Sequence, residues 1–87
     1  MKQNDKEEKS RIRVKVKFFS LLREEFGSER MVELDEGAKI IDLAELLGLH
    51  DRLDRDVFVA RNFESAEVDL PLKDGDEVAF FPPVSGG

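Results

Sequence analysis

The residues best suited to chemistry stand at the end of the sequence, where residues 80–87 read FFPPVSGG. Pro82 and Pro83 hold φ near −65° and lack N–H groups, so they direct the chain away from a strand as a stiff, extended segment. Fully extended, the residues that follow Phe81 reach at most about 20 Å. This length is enough to carry a terminal carboxylate into a cleft on another protein.

The last two residues, Gly86 and Gly87, suit such a cleft. Without a Cβ they can pass through a narrow channel and leave the terminal carbonyl carbon open to attack. A carboxylate is anionic at neutral pH and a poor electrophile, so it must first be activated, for example as an acyl-adenylate. Sulfide, a persulfide or an amine could then displace the adenylate. A Gly-Gly ending alone is also found on frayed termini, so this prediction depends on the surrounding residues.

The sequence offers few residues for other kinds of chemistry. The sequence has no cysteine and one histidine, which excludes thiol nucleophiles, cysteine-ligated metals and most histidine catalysis. We interpret His50, Asp51 and Asp54 as a solvated loop and predict no metal site. Residues 74–76, Asp-Gly-Asp, offer too few oxygens for calcium and predict a turn. The neighbouring pair Glu24 and Glu25 forms no acid–base constellation, since adjacent helical residues point different ways.

Composition predicts one small domain with an acidic body. The 87 residues include 20 acids and 14 bases, for a net charge of −6, with 40% hydrophobic residues. Residues 18–87 hold seventeen acids and seven bases, which disfavours nucleic acid and favours a partner with a basic face. No apolar run approaches the roughly 20 residues that span a bilayer, and the basic start lacks an apolar signal region. We therefore expect a cytoplasmic protein without a membrane partner.

The tail must be positioned by a small sheet. Residues 1–10 lack apolar periodicity and predict a flexible charged extension, residues 11–81 the domain, and residues 82–87 the extended tail. From Arg11 the chain alternates, with Ile12, Val14, Val16 and Phe18 on one face of a half-buried strand and basic residues on the other. Phe19 falls on the basic face.

Two helices are predicted between strands. Ser20 is a candidate N-cap of a short helix that Gly27 would end in a left-handed conformation, and residues 29–35 alternate as a second, antiparallel strand. Gly48 closes the main helix. The apolar stripe of that helix comprises Ile40, Ile41, Leu43, Ala44, Leu46 and Leu47.

Three more strands are predicted after the main helix, at residues 56–62, around residues 67–70, and at residues 77–81 after the 74–76 turn. In the last strand Val78 and Phe80 share one face, while Ala79 and Phe81 share the other. The element order is ββαβββ. It predicts an α+β fold, a mixed sheet of four to five strands with one main helix and a short extra helix.

Three segments of the chain carry a resemblance to a known family. VKVKFFSLLREEFG, EGAKIIDLAELLG and DGDEVAFFPPVSGG resemble the small subunit of molybdopterin synthase, the MoaD-like branch of the ubiquitin-like sulfur carriers. The resemblance extends over nearly all of residues 12–87. It implies a β-grasp fold and a domain that is not an enzyme on its own.

The resemblance also implies a mechanism. An E1-like enzyme would use ATP to adenylate Gly87, which would then become a thiocarboxylate. The carrier would insert its tail into the large synthase subunit, within a heterotetramer, and donate sulfur to precursor Z to build the molybdopterin dithiolene. The chain would bind no cofactor itself. Its sulfur would travel on the main-chain terminus, which is consistent with the absence of cysteine.

Several residues acquire roles through this resemblance. Phe19 and Phe81 match the hydrophobic docking surface for the large subunit and the activating enzyme, and Arg23 matches an arginine near that interface. Lys39 departs from the family, which commonly has Thr or Ser as the helix N-cap. The inserted tail corresponds to Pro82, Pro83, Val84, Ser85, Gly86 and Gly87.

Alternatives remain open at this point. The activated Gly87 could be joined to lysine amines of target proteins, as in a ubiquitin-like modifier, and one chain could perform both roles. A non-covalent β-grasp binding module with an inert tail is a third possibility. For Phe19 and Phe81, the alternative to partner docking is burial under a thin second core or a dimer contact.

Overall fold

The first strand adopts the alternation that its sequence predicts. The computed structural model describes residues 10–53 and 55–83. Strand β1, Arg11–Phe18, buries every second residue and leaves its basic residues exposed or half-buried. Successive side chains of a strand point to opposite faces, so one face of β1 is apolar and the other basic. The buried residues are Ile12, Val14, Val16 and Phe18.

Five strands form one mixed sheet in the order β2-β1-β5-β3-β4. The first and last strands in the sequence are parallel neighbours at its centre, with Val16 opposite Val78. The other neighbouring pairs are antiparallel. The remaining strands are β2 Glu29–Asp35, β3 Phe58–Arg61, β4 Glu64–Ser65 and β5 Glu77–Phe81.

Two α-helices lie in the connections. Helix α1, Leu21–Phe26, joins β1 to β2, and helix α2, Ile40–Leu47, is followed by a 3₁₀ turn at His50–Arg52. The Lys39 N–H donates to Asp42 Oδ2 at 2.8 Å, so the helix entry is capped by Asp42 despite the lysine at the N-cap. Gly48 ends the helix, as predicted, and adopts the left-handed conformation at φ 78°.

Both helices pack on the same face of the sheet, because their buried residues join one core. The Phe18 ring stacks on Phe26 of α1 at 4.8 Å between centroids and on Phe80 at 6.0 Å. The buried core comprises Ile12, Val14, Val16, Phe18, Leu22, Val32, Leu34, Ile40, Leu43, Ala44, Leu49, Val57, Val59, Leu72, Val78 and Phe80.

The fourth strand differs from its prediction. Residues 67–70 are not a strand; the short β4 lies earlier, at Glu64–Ser65. The later segment instead accepts the first amides of α2, since Ile41 N–H donates to the Val68 carbonyl at 2.8 Å and Ile40 N–H to the Leu70 carbonyl at 3.0 Å. The first N–H groups of a helix lack intrahelical partners, and this segment supplies them.

Four local predictions were wrong in detail. Ser20 occupies the N-cap position of α1, but its side chain makes no capping bond and its backbone lies at φ 58°, ψ −132°. Gly27 has φ 92° but ψ 173°, outside the left-handed helical region. Leu46 was predicted on the buried stripe and is 62% exposed. Strand β3 is also shorter than the predicted residues 56–62.

A buried carboxylate fixes the turn before β5. Asp76 is 7% exposed and accepts a hydrogen bond from the Lys73 N–H at 2.8 Å and another from Asn62 Nδ2 at 3.1 Å. The Arg61 guanidinium lies 3.5 Å from the same carboxylate. The predicted turn at residues 74–76 is therefore present and is joined to the end of β3.

The predicted α+β class, mixed sheet, main helix and short extra helix are confirmed. The division into an extension at 1–10, a domain at 11–81 and a tail at 82–87 stays a prediction. Its ends fall on residues 1–9 and 84–87, which lie outside the described residues.

Candidate functional site

An open groove lies on the sheet face opposite the helices. Its volume is about 370 Å³, and its floor is formed by two alanines of neighbouring strands, Ala60 and Ala79. Small side chains on the floor leave a depression between the larger residues around it. The lining residues are Lys17, Phe19, Ala60, Phe63, Ser65, Glu77, Ala79 and Phe81.

Phe19 is held at one side of this groove by a continuation of the β1–β5 ladder. Its N–H donates to the Phe80 carbonyl at 3.1 Å. The side chain is 44% exposed. The following residue, Ser20, has positive φ and turns the chain into α1. Phe19 therefore lies on the open face, as its place in the alternation predicted.

Phe81 ends β5 on the same face. It is opposite Phe58 of β3, and the two rings stack with centroids 6.5 Å apart. This contact leaves Phe81 half-buried. The structure brings Phe19 and Phe81 together in one groove lining, and no helix of the described residues covers them. A second core is therefore absent from the described part of the chain.

Charged residues in the groove are already paired. Lys17 Nζ lies 3.4 Å from Glu77 Oε2, and both side chains are partly buried. The neighbouring half of the open face is more polar, because Arg11 pairs with Glu33 and Asp35 across β1 and β2, each at 3.4 Å. The apolar groove is thus bordered by the end of β1, by β5 and by the β3–β4 hairpin, whereas on β2 Met31 is an exposed apolar residue among charged neighbours.

The predicted tail leaves from this groove. Pro82 follows Phe81 directly and is half-buried, and Pro83 is exposed. Val84, Ser85, Gly86 and Gly87 lie outside the described residues. Any partner that receives the tail must therefore approach the region of Phe81.

Arg23 lies elsewhere. It is exposed on α1 and does not line the groove. Its docking role stays a prediction. Nearby, Glu25 of α1 is 3.3 Å from Arg52 Nη1, and this hydrogen bond, together with the carboxylate of Asp56, raises the pKa of Arg52. Glu25 is thus engaged in a contact between α1 and the 3₁₀ turn.

Phe63 is the groove residue that sequence reasoning missed. It lies between β3 and β4 and is 86% exposed. Asn62 and Phe63 both have positive φ, 51° and 72°, as a two-residue type I′ hairpin turn requires. The signal in the sequence was Asn62, a residue that tolerates positive φ, between two short β-type segments.

The described residues offer little for other chemistry. Within 10–53 and 55–83, no three His, Cys, Asp or Glu side chains lie together as a metal-binding group. His50 Nε2 is 3.4 Å from Asp51, and Asp54 lies outside the described residues. Among the described helices, none combines the length and apolar character needed to cross a bilayer. The arrangement suits recognition of an apolar protein surface and delivery of the tail.

Comparison with protein families gives one match that covers most of the chain. The model of the ThiS family matches residues 16–87. This range includes β1 from Val16, both helices, the groove residues and the tail.

Two relatives are similar over almost their whole length. The molybdopterin synthase sulfur carrier subunit of Chlamydomonas reinhardtii is 39% identical over 83 residues, which cover 87% of this chain and 100% of the relative. Small archaeal modifier protein 1 of Haloferax volcanii is 39% identical over 84 residues, covering 82% of this chain and 97% of the relative.

Solved structures share the fold. The crystal structure of SAMP1 from Haloferax volcanii matches with a TM-score of 0.72 and 34% identity, over 86% of this chain and 99% of the other. A complex of subunits 1 and 2 of molybdopterin-converting factor from Helicobacter pylori contains a chain that matches with a TM-score of 0.63 and 28% identity, over 87% and 100% of the two chains. Caldiarchaeum subterraneum ubiquitin matches at 0.61 with 13% identity, over 90% and 100%, which identifies the fold as ubiquitin-like.

Proposed function

Because the chain belongs to the ThiS family, we propose that it is the sulfur-carrier small subunit of a molybdopterin synthase. The observation that carries the proposal is the exit of the tail: β5 ends at Phe81 inside an open apolar groove, and the chain continues as Pro-Pro-Val-Ser-Gly-Gly. The groove binds the partner, and the tail reaches the partner's catalytic centre. The reaction takes place in the cytoplasm.

Loading proceeds in two steps at Gly87. A carboxylate oxygen attacks the α-phosphorus of ATP on an E1-like enzyme, and pyrophosphate leaves. Hydrosulfide then adds to the acyl carbon, and AMP leaves with the oxygen that had attacked ATP. The net change replaces one carboxylate oxygen by sulfur and gives a thiocarboxylate. Adenylation is required because it converts a poor leaving group into a good one.

Transfer takes place on the large synthase subunit. The complex of the related Helicobacter pylori subunits supports such a partner. The thiocarboxylate donates its sulfur to precursor Z, and a water oxygen restores the Gly87 carboxylate. The chain carries no catalytic side chain for this step; the partners supply the catalytic groups and ATP. Pro82 to Gly86 form the inserted segment, and Phe19, Phe81 and Arg23 are the docking residues.

Intact-mass spectrometry tests the loading step directly. The full chain is incubated with its activating enzyme, ATP and sulfide, and we expect a mass gain equal to the replacement of oxygen by sulfur. The matched control is the chain lacking Gly87, which keeps the groove and the fold. Tandem mass spectra should place the sulfur on Gly87. An unchanged wild-type mass, with an enzyme that releases pyrophosphate on this chain, would show that the carrier proposal is wrong.

A second role is supported by the 39% identity to small archaeal modifier protein 1. In this role a lysine Nζ attacks the Gly87 adenylate, AMP leaves, and an isopeptide bond forms. Trypsin cuts this chain last after Lys73, so a modified target lysine would retain residues 74–87 as its remnant. We expect that remnant on lysines of other proteins in cells producing the wild-type chain. Its absence under several growth conditions would count against conjugation.

A further inference from the structure

Phe63 is the most exposed of the large apolar side chains in the described residues, at 86%, compared with 44% for Phe19. Single exposed apolar residues are common on protein surfaces, so exposure alone indicates nothing. The backbone beneath Phe63 supplies a second, independent observation.

The backbone at Phe63 is strained for this residue type. Type I′ turns need positive φ at both central positions, and Asn-Gly is the preferred pair. Asn62 fits the first position, but a bulky aromatic residue at φ 72° is an outlier that glycine would relieve. Strain of this kind is concentrated at functional sites. Phe63 is not among the residues that pack in or against the core, so core packing does not offset this strain.

Hydrogen bonds of the preceding residue, Asn62, fix the backbone that carries Phe63. Asn62 N–H donates to the Glu77 carbonyl at 2.8 Å, and Asn62 Oδ1 accepts from the Glu77 N–H at 2.9 Å. Asn62 Nδ2 donates to the buried Asp76 carboxylate at 3.1 Å. These bonds attach the turn to the start of β5, so the backbone position of Phe63 relative to the groove is set before any partner arrives.

We propose that Phe63 is a third docking anchor for the protein that receives the tail, and that this partner offers an apolar pocket beside basic side chains. The inference rests on the proposed function and extends its docking surface to the edge of the sheet. Phe63 lines the same groove as Phe19 and Phe81, so the three aromatic residues border one continuous surface. A partner that covers the tail exit at Phe81 must also meet this hairpin.

Charge favours a partner with a basic face. Residues 18–87 hold seventeen acids and seven bases. Basic side chains around the apolar pocket of the partner would complement this acidic body. A second copy of this chain is less suitable, because each copy has a net charge of −6 and would bring further acids to the same surface.

The test measures binding and stability together on Phe63→Gly. The probe is the large synthase subunit of the same organism, titrated with the full-length chain by calorimetry. We expect Phe63→Gly to raise Kd about tenfold or more, as loss of a buried aromatic anchor does. Because the substitution relieves strain, the melting temperature should rise by about 4 °C. Leu46→Ala is the matched control: Leu46 is 62% exposed on α2, away from the groove, and its Kd should stay within about twofold.

Each contrary result has its own meaning. If Phe63→Gly leaves Kd within twofold while Phe81→Ala weakens binding, the third anchor is wrong and the proposed function stands. If the wild-type chain does not bind the large subunit at all, both are wrong. If Phe63→Gly raises Kd and also lowers the melting temperature, the loss of binding results from a distorted hairpin and the inference is overturned. Loss of self-association alone, seen by analytical ultracentrifugation, would identify a second copy as the occupant instead.

Discussion

The two faces of β5 differ although they belong to the same five residues. Val78 and Phe80 are fully buried beneath the helices, whereas Ala79 and Phe81 line the open groove. Both faces carry apolar residues, and the open face also carries Glu77, so the presence of apolar side chains alone does not distinguish them. The difference is that the buried residues of α1 and α2 all join the closed face. The closed face holds the domain together, which leaves the open face available for recognition.

The open face itself is divided. On β2 and β1 it carries cross-strand ion pairs, such as Arg11 with Asp35, and on β5, β3 and β4 it carries alanines and phenylalanines. Exposed ion pairs contribute little to stability but keep that half of the sheet hydrated. The aromatic residues of the open face therefore lie on the side from which the tail leaves, and Met31 is an exposed apolar residue on the charged side.

The contrast between the two faces of β5 predicts the largest loss of stability at Phe80. Phe80→Ala removes a fully buried ring that stacks on Phe18 and should lower the free energy of unfolding by about 3 to 5 kcal/mol. Urea denaturation followed by circular dichroism measures this loss. In a domain of this size such a loss can exceed the total stability, so the less severe Phe80→Leu should be measured alongside. A loss below about 1 kcal/mol for Phe80→Ala would contradict the assignment of the closed face.

Phe81→Ala should weaken binding of the large subunit strongly while lowering stability less than Phe80→Ala does. We expect large-subunit binding to weaken by about 2 kcal/mol, roughly 30-fold in Kd, because a central aromatic anchor is lost. Stability should fall by only about 1 to 2 kcal/mol, since the ring is half-buried against Phe58. Calorimetric titration and urea denaturation provide the two numbers. A variant that fails to fold would place Phe81 in the core and remove it from the docking surface.

Ser20→Gly tests whether the backbone strain in the turn after β1 lowers the stability of the domain. Ser20 lies at φ 58°, ψ −132°, a conformation that glycine adopts without strain, and its side chain makes no capping bond. Relief of this strain should raise the free energy of unfolding by about 1 kcal/mol. Leu21→Gly, at the next position inside α1, is a control that should be destabilising. A destabilised Ser20→Gly variant would indicate that this backbone is not strained in solution.

The smallest effect is expected for the ion pair in the groove. A double-mutant cycle on Lys17→Ala and Glu77→Ala should give a coupling free energy of about 0.5 kcal/mol, because both side chains remain partly hydrated. The coupling should decline as salt rises. A value above about 2 kcal/mol would mean that this pair stabilises the sheet in the way the closed face does.

The prediction of β1 and β5 from sequence succeeded because both strands are half-buried. In a sheet, successive side chains point to opposite faces, so a strict alternation assigns every residue to one face. It assigned Phe18, Phe19, Phe80 and Phe81 to the correct faces. Gly48 was equally predictable, since a helix that ends in a left-handed residue favours glycine. The family motifs predicted the tail and a sulfur-carrier chemistry, and the role of Gly87 remains a proposal.

Other features depended on contacts between distant segments. Residues 67–70 have the composition of a strand, yet they accept the first amides of α2, a partner that no local pattern reveals. Leu46 fits the helical stripe, yet it is 62% exposed and does not join the core. The position of Phe63 follows from hydrogen bonds between Asn62, Glu77 and Asp76, which belong to different segments.

By itself, the sequence determined the alternation of β1 and β5, the end of the main helix at Gly48 and a tail able to carry an activated carboxylate, because each depends on neighbouring residues and their intrinsic conformations. Only the tertiary structure decided that Phe19, Phe63 and Phe81 border one groove. That arrangement results from placing β1 beside β5 and β5 beside β3 in a single sheet. Strand order is set by the burial of the whole core, to which residues throughout the chain contribute.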